Sequence, residues 1–285
     1  MTTTEQILNK TNLNWTVSKR ELYDPSGIAT GYYGQFRDDT DACLGISSPQ
    51  YLVSQNSDII QLLENYFGSN LIADNVSGFP LKGGKRVHLK IKDRNLFEGT
   101  DAALSRHLLI KDSHDGSCPI ILGTYDEVLV CSNGLTTMHK VNELRITHTK
   151  SMAAKLKSFD TAYSKLLGLN EKLKQQYETF MSTKVSMDLA ITMLEQLNNC
   201  DLSMSEDEFK SMFSTRKWNI VQTQLECIEL EFNRQGKTKW GLLNGITQYT
   251  THRFGDKSTE ELKESVIDGT AKIIASNAFD LIAAL

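Results

Sequence analysis

The feature that most constrains the fold is a change of sequence pattern near residue 149. All four prolines of the 285-residue chain, Pro25, Pro49, Pro80 and Pro119, precede this point, where short apolar runs alternate with polar residues between turn formers. After it no proline occurs, and apolar residues recur every three or four positions. Because side chains repeat every two residues in strands and every 3.6 in helices, the pattern predicts a sheet followed by helices.

We therefore expect an α+β protein with a mixed or antiparallel, hairpin-rich sheet over residues 1–149 and a helical half over residues 150–285. The chain is long enough for two domains, although the two regions can also form one integrated domain. Predicted strands cover residues 32–36, 42–46, 86–92, 104–111, 119–123 and 127–131, and a helix that Ser57 or Asp58 caps covers residues 57–67. Later helices are predicted over residues 185–197, 206–213, 218–232, 239–252 and 259–281.

The most regular stretch, from Met152 to Phe180, predicts a long helix at the start of the helical half. Its apolar residues alternate at spacings of four and three, which is typical of a helix packed along a partner helix in the same chain or in a second copy. Gly168 and Asn170 leave open a break between two shorter helices. The residues assigned to this oligomerisation or helix seam are Leu156, Phe159, Tyr163, Leu166, Leu173 and Tyr177.

Composition narrows the class of protein without naming a partner. The formal net charge is −4, so only the distribution of charge is informative. Five cysteines without a C-x-x-C pair disfavour a disulfide framework and a zinc knuckle. The first residues do not form a secretion signal, and no apolar run is long enough for a membrane span. We expect a soluble cytoplasmic protein with no membrane partner, no metal and no cofactor.

The strongest local signal for a binding partner is a basic face on the predicted strand that begins at Arg86. Alternation places Val87, Leu89 and Ile91 on one face. The opposite face carries Arg86, His88, Lys90, Lys92 and Arg94. Two interpretations stay open: contact with a nucleic-acid backbone, or an edge strand protected from aggregation by its charges. The predicted nucleic-acid-binding residues are Lys85, Arg86, Lys90, Lys92, Arg94, Arg145, Lys150 and Trp240, with the indole available for base stacking.

Adjacent His114 and Asp115 raise the question of catalysis. A metal-dependent phosphohydrolase uses such a pair, but on a helical framework with further ligands. Here the pair lies between two strand-like runs and is followed by Gly116, which favours a hairpin turn in which glycine supplies a positive φ. The turn is the preferred interpretation, and a metal hydrolase centred on the pair is kept as an enzymatic alternative.

Five short segments together resemble one protein family. They are residues 51–56 (YLVSQN), 113–117 (SHDGS), 130–135 (VCSNGL), 145–149 (RITHT) and 240–249 (WGLLNGITQY). In this order they are similar to the phage/plasmid-like family labelled domain of unknown function 932, over roughly residues 30 to 280. The chain has Gly134 where the family typically has threonine, so no role of that threonine carries over. The resemblance implies a product of phages, plasmids or integrated elements, with no established catalytic residue.

The leading hypothesis is a non-catalytic, phage- or mobile-element-encoded DNA-binding protein that binds or anneals single strands in recombination or replication. Annealing requires a basic groove along one backbone, and self-association extends that groove. The expected partners are single-stranded DNA and further copies of the chain, in the host-cell cytoplasm. The alternative is a protein-binding module, such as an inhibitor of a host-defence complex or an assembly factor, that uses the seam between Met152 and Phe180.

Overall fold

The α+β class is confirmed by a computed structural model, which describes residues 2–95, 104–128, 134–135, 144–156, 172, 174–255 and 259–285. These residues divide into two compact units. The first contains the described residues up to Arg94, from Arg106 to Tyr125, and from Leu144 to Leu156. The second contains the remaining described residues, which are mostly the helices from residue 174 onward.

The first unit begins with a short helix and a three-stranded antiparallel sheet. These elements are α1 (Thr3–Lys10), β1 (Val17–Tyr23), β2 (Ala29–Arg37) and β3 (Cys43–Ser47), with sheet order β1-β2-β3. The hydroxyl of Thr2 accepts the Glu5 amide at 3.2 Å, and the Glu5 carboxylate accepts the Thr2 amide at 2.8 Å. This reciprocal capping satisfies two amides that the first turn of α1 leaves without helical partners.

A larger sheet follows helix α2 (Asn56–Phe67). Its strands are β4 (Val76–Leu81), β5 (Arg86–Asn95), β6 (Leu104–Ser113), β7 (Ile120–Val128), β8 (Gly134–Leu135) and β9 (Leu144–Ile146). The order is β4-β5-β6-β7-β8, and β9 also pairs with β7. Strand β5 therefore lies between two neighbours, which excludes the interpretation of the basic strand as a sheet edge.

One face of β5 forms part of the first hydrophobic core, as its alternation predicts. Val87, Leu89 and Ile91 are all buried there and pack with side chains of α2 such as Ile60 and Leu63. Burial of each such side chain contributes about 1.5–3 kcal/mol to folding. The sequence thus fixes which face of β5 turns inward and leaves Arg86, Lys90 and Lys92 on the other.

The second unit is helical. Its helices are α4 (residues 174–182), α5 (Met187–Asn198), α6 (Glu206–Met212), α7 (Thr215–Gln235), α8 (Lys239–Gln248), a π-helical turn (Tyr249–Arg253), α9 (Thr259–Asp268) and α10 (Thr270–Ala284). The helix predicted over residues 259–281 is thus two helices separated by Gly269. The Ser265 hydroxyl accepts the Ala271 amide at 3.2 Å, which stabilises the start of α10. No helix among the described residues has the length and apolar character of a membrane span.

The predicted seam is only partly placed. Phe159, Tyr163, Leu166 and Leu173 lie outside the described residues, and so does most of the predicted long helix. Leu156, in helix α3 (Met152–Leu156), packs against the first core. Tyr177 is fully buried in the second core. These two residues therefore pack in different cores, and the seam itself stays a prediction.

Trp240 is also a core residue, and its predicted role in stacking on bases is wrong. Only 3% of its surface is exposed, and its ring centroid lies 5.5 Å from that of Tyr177 in an edge-to-face contact. Nearby, helices α7 and α8 approach so closely that a Cβ at Gly245 would lie 2.5 Å from the Ile228 Cα. The indole is buried because α8, on which it lies, is surrounded by the rest of the second unit.

Candidate functional site

The turn predicted around His114 is confirmed. Strand β6 ends at Ser113, and β7 begins at Ile120. Between them the Asp115 carboxylate accepts the Ser117 amide at 2.8 Å, and Gly116 has a φ of +74°. Among the described residues, no three His, Cys, Asp or Glu side chains are placed to hold a metal ion.

The last residues of β6 contribute to a buried polar cluster around Asp112, whose side chain is 1% exposed. The Ser54 hydroxyl donates to this carboxylate, and the Ser113 amide donates to its Oδ1 at 2.7 Å. Nε2 of His148 lies 3.0 Å from the same oxygen, at ion-pair distance but without the alignment of a hydrogen bond. A buried carboxylate requires such partners because its desolvation is costly. We call Tyr51, Ser54, Asp112, Ser113 and His148 the Asp112 cluster.

Tyr51 and His148 hold two distant segments against this carboxylate. Their rings stack with centroids 4.8 Å apart, and the Tyr51 hydroxyl donates to the Ser113 carbonyl at 2.8 Å. The Leu52 amide donates to the His148 carbonyl at 2.9 Å, while Nδ1 of His148 lies 3.2 Å from the Leu52 carbonyl. Burial, assisted by the nearby Asp112 charge, raises the pKa of Tyr51 far above its usual value. The phenol therefore stays protonated and remains a donor.

His114 points inward from the turn and is fully buried. Its Nε2 lies 3.1 Å from Oδ1 of Asn56, whose amide nitrogen donates to the carbonyls of Leu13 and Trp15. Because those donations direct Oδ1 toward the imidazole, the ring proton belongs on Nε2. Burial lowers the pKa of His114, so the ring is neutral. The side chain thus ties the turn to the start of α2 and does not face solvent as an exposed acid or base.

A pocket of about 340 Å³ opens beside the Asp112 cluster. It is lined by residues 116–119 and 147–149, together with Ser48, Gln50 and Tyr51. His148 and Tyr51 belong both to the cluster and to the pocket wall. The buried polar network therefore fixes the shape of a surface pocket.

Three of the five segments that carry the family resemblance meet at this site. Residues 51–56 contribute Tyr51 and Ser54, residues 113–117 contribute Ser113 and the turn, and residues 145–149 contribute His148. The segment at 240–249 instead packs in the second unit, and most of 130–135 lies outside the described residues. Sequence reasoning missed Tyr51, Ser54 and Asp112 as site residues, although the segments that contain or adjoin them were the available signal.

Comparison with known families agrees with this resemblance. The family model described as Domain of unknown function (DUF932) matches residues 43–268, so the chain belongs to that family. No curated protein and no solved structure matches the chain.

One predicted cation contacts the pocket wall, and two others lie within two residues of it in the sequence. Nε of the half-buried Arg86 donates to the hydroxyl of Ser117 at 3.1 Å, on the pocket wall. Arg145 and Lys150 are exposed and flank the pocket-lining residues 147–149. The fold thus brings the start of β5 and the end of β9 to the same pocket, although about sixty residues separate them in the sequence.

The exposed Lys85 follows a turn of three residues with positive φ, and hydrogen bonds fix this turn. Lys82, Gly83 and Gly84 have φ values of +51°, +70° and +102°. Nη1 of Arg37 donates to the Gly83 carbonyl at 3.1 Å, and the Lys85 carbonyl accepts the His114 amide at 2.8 Å. The second of these bonds joins the lysine turn directly to the turn at the pocket.

Farther along β5 the basic face is interrupted. His88 is 1% exposed, and its ring lies 5.8 Å from that of Phe79, its cross-strand partner on β4. The basic face is therefore not continuous at the surface, because His88 is buried and packs against the Phe79 ring. Lys90 is half-buried and Lys92 is exposed, while the side chain of Arg94 lies outside the described residues.

Proposed function

We propose that this protein is a non-catalytic DNA-binding protein, encoded by a phage or another mobile element, that binds and anneals single strands during recombination or replication in the host-cell cytoplasm. The observation that carries the proposal is the contact of Arg86 with the wall of a preformed pocket, with Lys85 on the adjoining turn and the exposed Arg145 and Lys150 within two residues of the lining segment 147–149. Further copies of the chain would extend this short surface along a strand.

The chemistry of the pocket mouth suits a single strand. Lysine and arginine neutralise phosphates and release counterions, which drives binding of any sequence. A single strand also leaves its bases accessible, so a pocket beside the cations contacts groups that a duplex keeps inside. Arg86 supplies a guanidinium at the pocket wall, whereas Lys85 and Lys150 supply exposed ammonium groups.

Charge reversal at the two exposed lysines tests the proposal. In Lys85→Glu/Lys150→Glu we expect much weaker binding to a single-stranded oligonucleotide, measured by fluorescence anisotropy over a salt series. The slope of log affinity against log salt should fall by about 0.7 for each phosphate contact that is lost. The matched control is Lys184→Glu/Lys237→Glu, which changes the net charge equally at exposed lysines of the second unit. Unchanged affinity and slope in a folded Lys85/Lys150 variant would refute the proposed surface.

A protein-binding module is the second candidate function, because one face of the small sheet exposes apolar side chains. Tyr32 and Ile46 are 58% and 60% exposed, and both lie on the same face as Gly34. Contiguous exposed apolar groups are a common feature of protein interfaces. Tyr32→Ser/Ile46→Ser should abolish self-association or partner capture under this hypothesis, and should leave oligonucleotide affinity unchanged under the first.

A further inference from the structure

We infer that the pocket is a nucleobase subsite: one base of the bound strand enters it while the flanking phosphates lie on the surrounding cations. This inference rests on the proposed DNA-binding function and adds a contact that phosphate binding alone does not require. It assigns separate roles to two parts of one surface, with the pocket interior for the base and Arg86, Arg145 and Lys150 for the backbone.

The size and lining of the pocket favour a flat, partly apolar group. Its volume of about 340 Å³ lies near the lower end of ligand pockets, so it accommodates one small group rather than a longer segment. Its lining includes the nearly buried Tyr51 and His148 and the half-buried Cys118 and Pro119. A phosphate gains little from such groups, whereas a base gains from burying its apolar faces.

Residues with hydroxyl groups also line the same pocket. Oγ1 of Thr147 lies 3.3 Å from Oγ1 of Thr149, which lies 3.1 Å from Oγ of Ser151. Ser48 and Ser117 add two more hydroxyls on other parts of the wall. Because a hydroxyl both donates and accepts, this set is compatible with the differing edges of all bases. We therefore expect base-dependent binding with little preference for sequence, as annealing requires.

The pocket wall is organised before any ligand arrives. Tyr51 is fixed by its hydrogen bond to the Ser113 carbonyl and by its stacking on His148. His148 in turn lies 3.0 Å from the buried Asp112 carboxylate. Since these groups are already ordered, binding of a base carries little additional cost in side-chain entropy.

Thiol protection tests this subsite in the unmodified protein. Cys118 lines the pocket, whereas the exposed Cys43 does not and serves as an internal control. With an oligothymidine at ten times its Kd, alkylation of Cys118 should slow about tenfold, while that of Cys43 stays unchanged, as peptide mass spectrometry would show. A strand of equal length made of abasic residues should bind the cations and leave Cys118 reactive.

The oligothymidine and the abasic oligonucleotide together distinguish failure of the base subsite from failure of the proposed function. If both bind by anisotropy and alter Cys118 alkylation to the same extent, the base subsite is wrong and the DNA-binding function stands. If neither strand binds, the proposed function itself is wrong. Should Cys118 react too slowly in the free protein, Ser48→Cys places a thiol at another part of the wall, and its protection by the intact strand alone gives the same decision.

Discussion

The two compact units of this protein differ in how they accommodate buried polar groups. In the first, Asp112 is contacted by Ser54 and His148, and Asn56 contacts His114, so the partners are far apart in sequence. In the second, the buried Glu231 is contacted by Arg234 and Gln235, one turn further along the same helix, and the buried Gln224 accepts a hydrogen bond from Asn198 of helix α5. These polar contacts of the first unit thus join segments that are farther apart in the sequence than those of the second, and they adjoin the pocket.

The hydrophobic cores of the two units also differ in composition. Around Trp240 the second unit packs Tyr177, Phe279 and Ala278 in aromatic and aliphatic contacts. The first unit combines an aliphatic core with the Asp112 cluster and a pocket. The pocket thus lies in the first unit, whereas the described residues of the second are stabilised mainly by apolar packing. Three substitutions test this difference, from the largest expected effect to the smallest.

Asp112→Ala should lower the free energy of unfolding by about 3–5 kcal/mol. The change leaves the Ser54 hydroxyl and the Ser113 amide without their shared acceptor inside the core, and it removes the carboxylate that lies 3.0 Å from His148 Nε2. Urea denaturation followed by circular dichroism measures the loss. Asp74→Ala is the control, because this side chain is 96% exposed and its ion pair with Lys10 should contribute less than about 1 kcal/mol. Equal effects of the two variants would contradict a structural role for the cluster.

Gly245→Val should destabilise the second unit by about 1–3 kcal/mol, through steric overlap rather than lost polar contacts. A Cβ at this position would lie 2.5 Å from the Ile228 Cα, so α7 and α8 must separate. The same urea experiment measures the change. Ala283→Val, at an exposed position of α10, adds a branched side chain with no such neighbour and should cost only a few tenths of a kcal/mol. If Gly245→Val were as stable as the wild type, α7 and α8 would have to be farther apart than this structure places them.

Acidification should weaken the first unit through His114. Burial lowers the pKa of this imidazole, so its neutral form stabilises the fold fully above the unfolded-state pKa near 6.5, and this contribution falls as the pH drops below that value. The loss is at most about 1.4 kcal/mol per pH unit. In His114→Gln the unfolding free energy should decline less between pH 7 and pH 5. An identical decline in the two proteins would rule out His114 as the cause.

Much of the fold could be predicted from periodicity and turn residues. Strands β2, β3, β5, β6 and β7 and most helices of the second unit fall where the pattern predicted them. Elements α1, β1 and β4 were missed, because β1 is interrupted by the charged run Lys19-Arg20-Glu21 and β4 contains Gly78 and Pro80. The predicted cap of α2 was wrong, since the helix begins at Asn56 with Gln55 as its N-cap. The domain boundary at residue 149 stays a prediction.

The site was harder to predict from the sequence than the fold, for a physical reason. The turn at residues 113–117 was predicted from local chemistry, since Asp115 and Gly116 act on their own neighbours. The Asp112 cluster depends on contacts across 36 to 96 residues, which no local pattern encodes. Exposed Lys85, Lys92, Arg145 and Lys150 remain predicted contacts, whereas Trp240 was misassigned because helical spacing does not distinguish a core indole from a surface one.

The span of the pocket along the chain has a consequence for biosynthesis. Its wall needs Ser48 as well as Thr149, and residues 116–119 lie between them. Because a chain emerges from the ribosome in sequence order, α1 and the three-stranded sheet are released long before the last wall residue. A nascent chain therefore has no complete pocket until Thr149 has left the exit tunnel. Translation itself therefore sets the earliest moment at which the pocket wall can be complete.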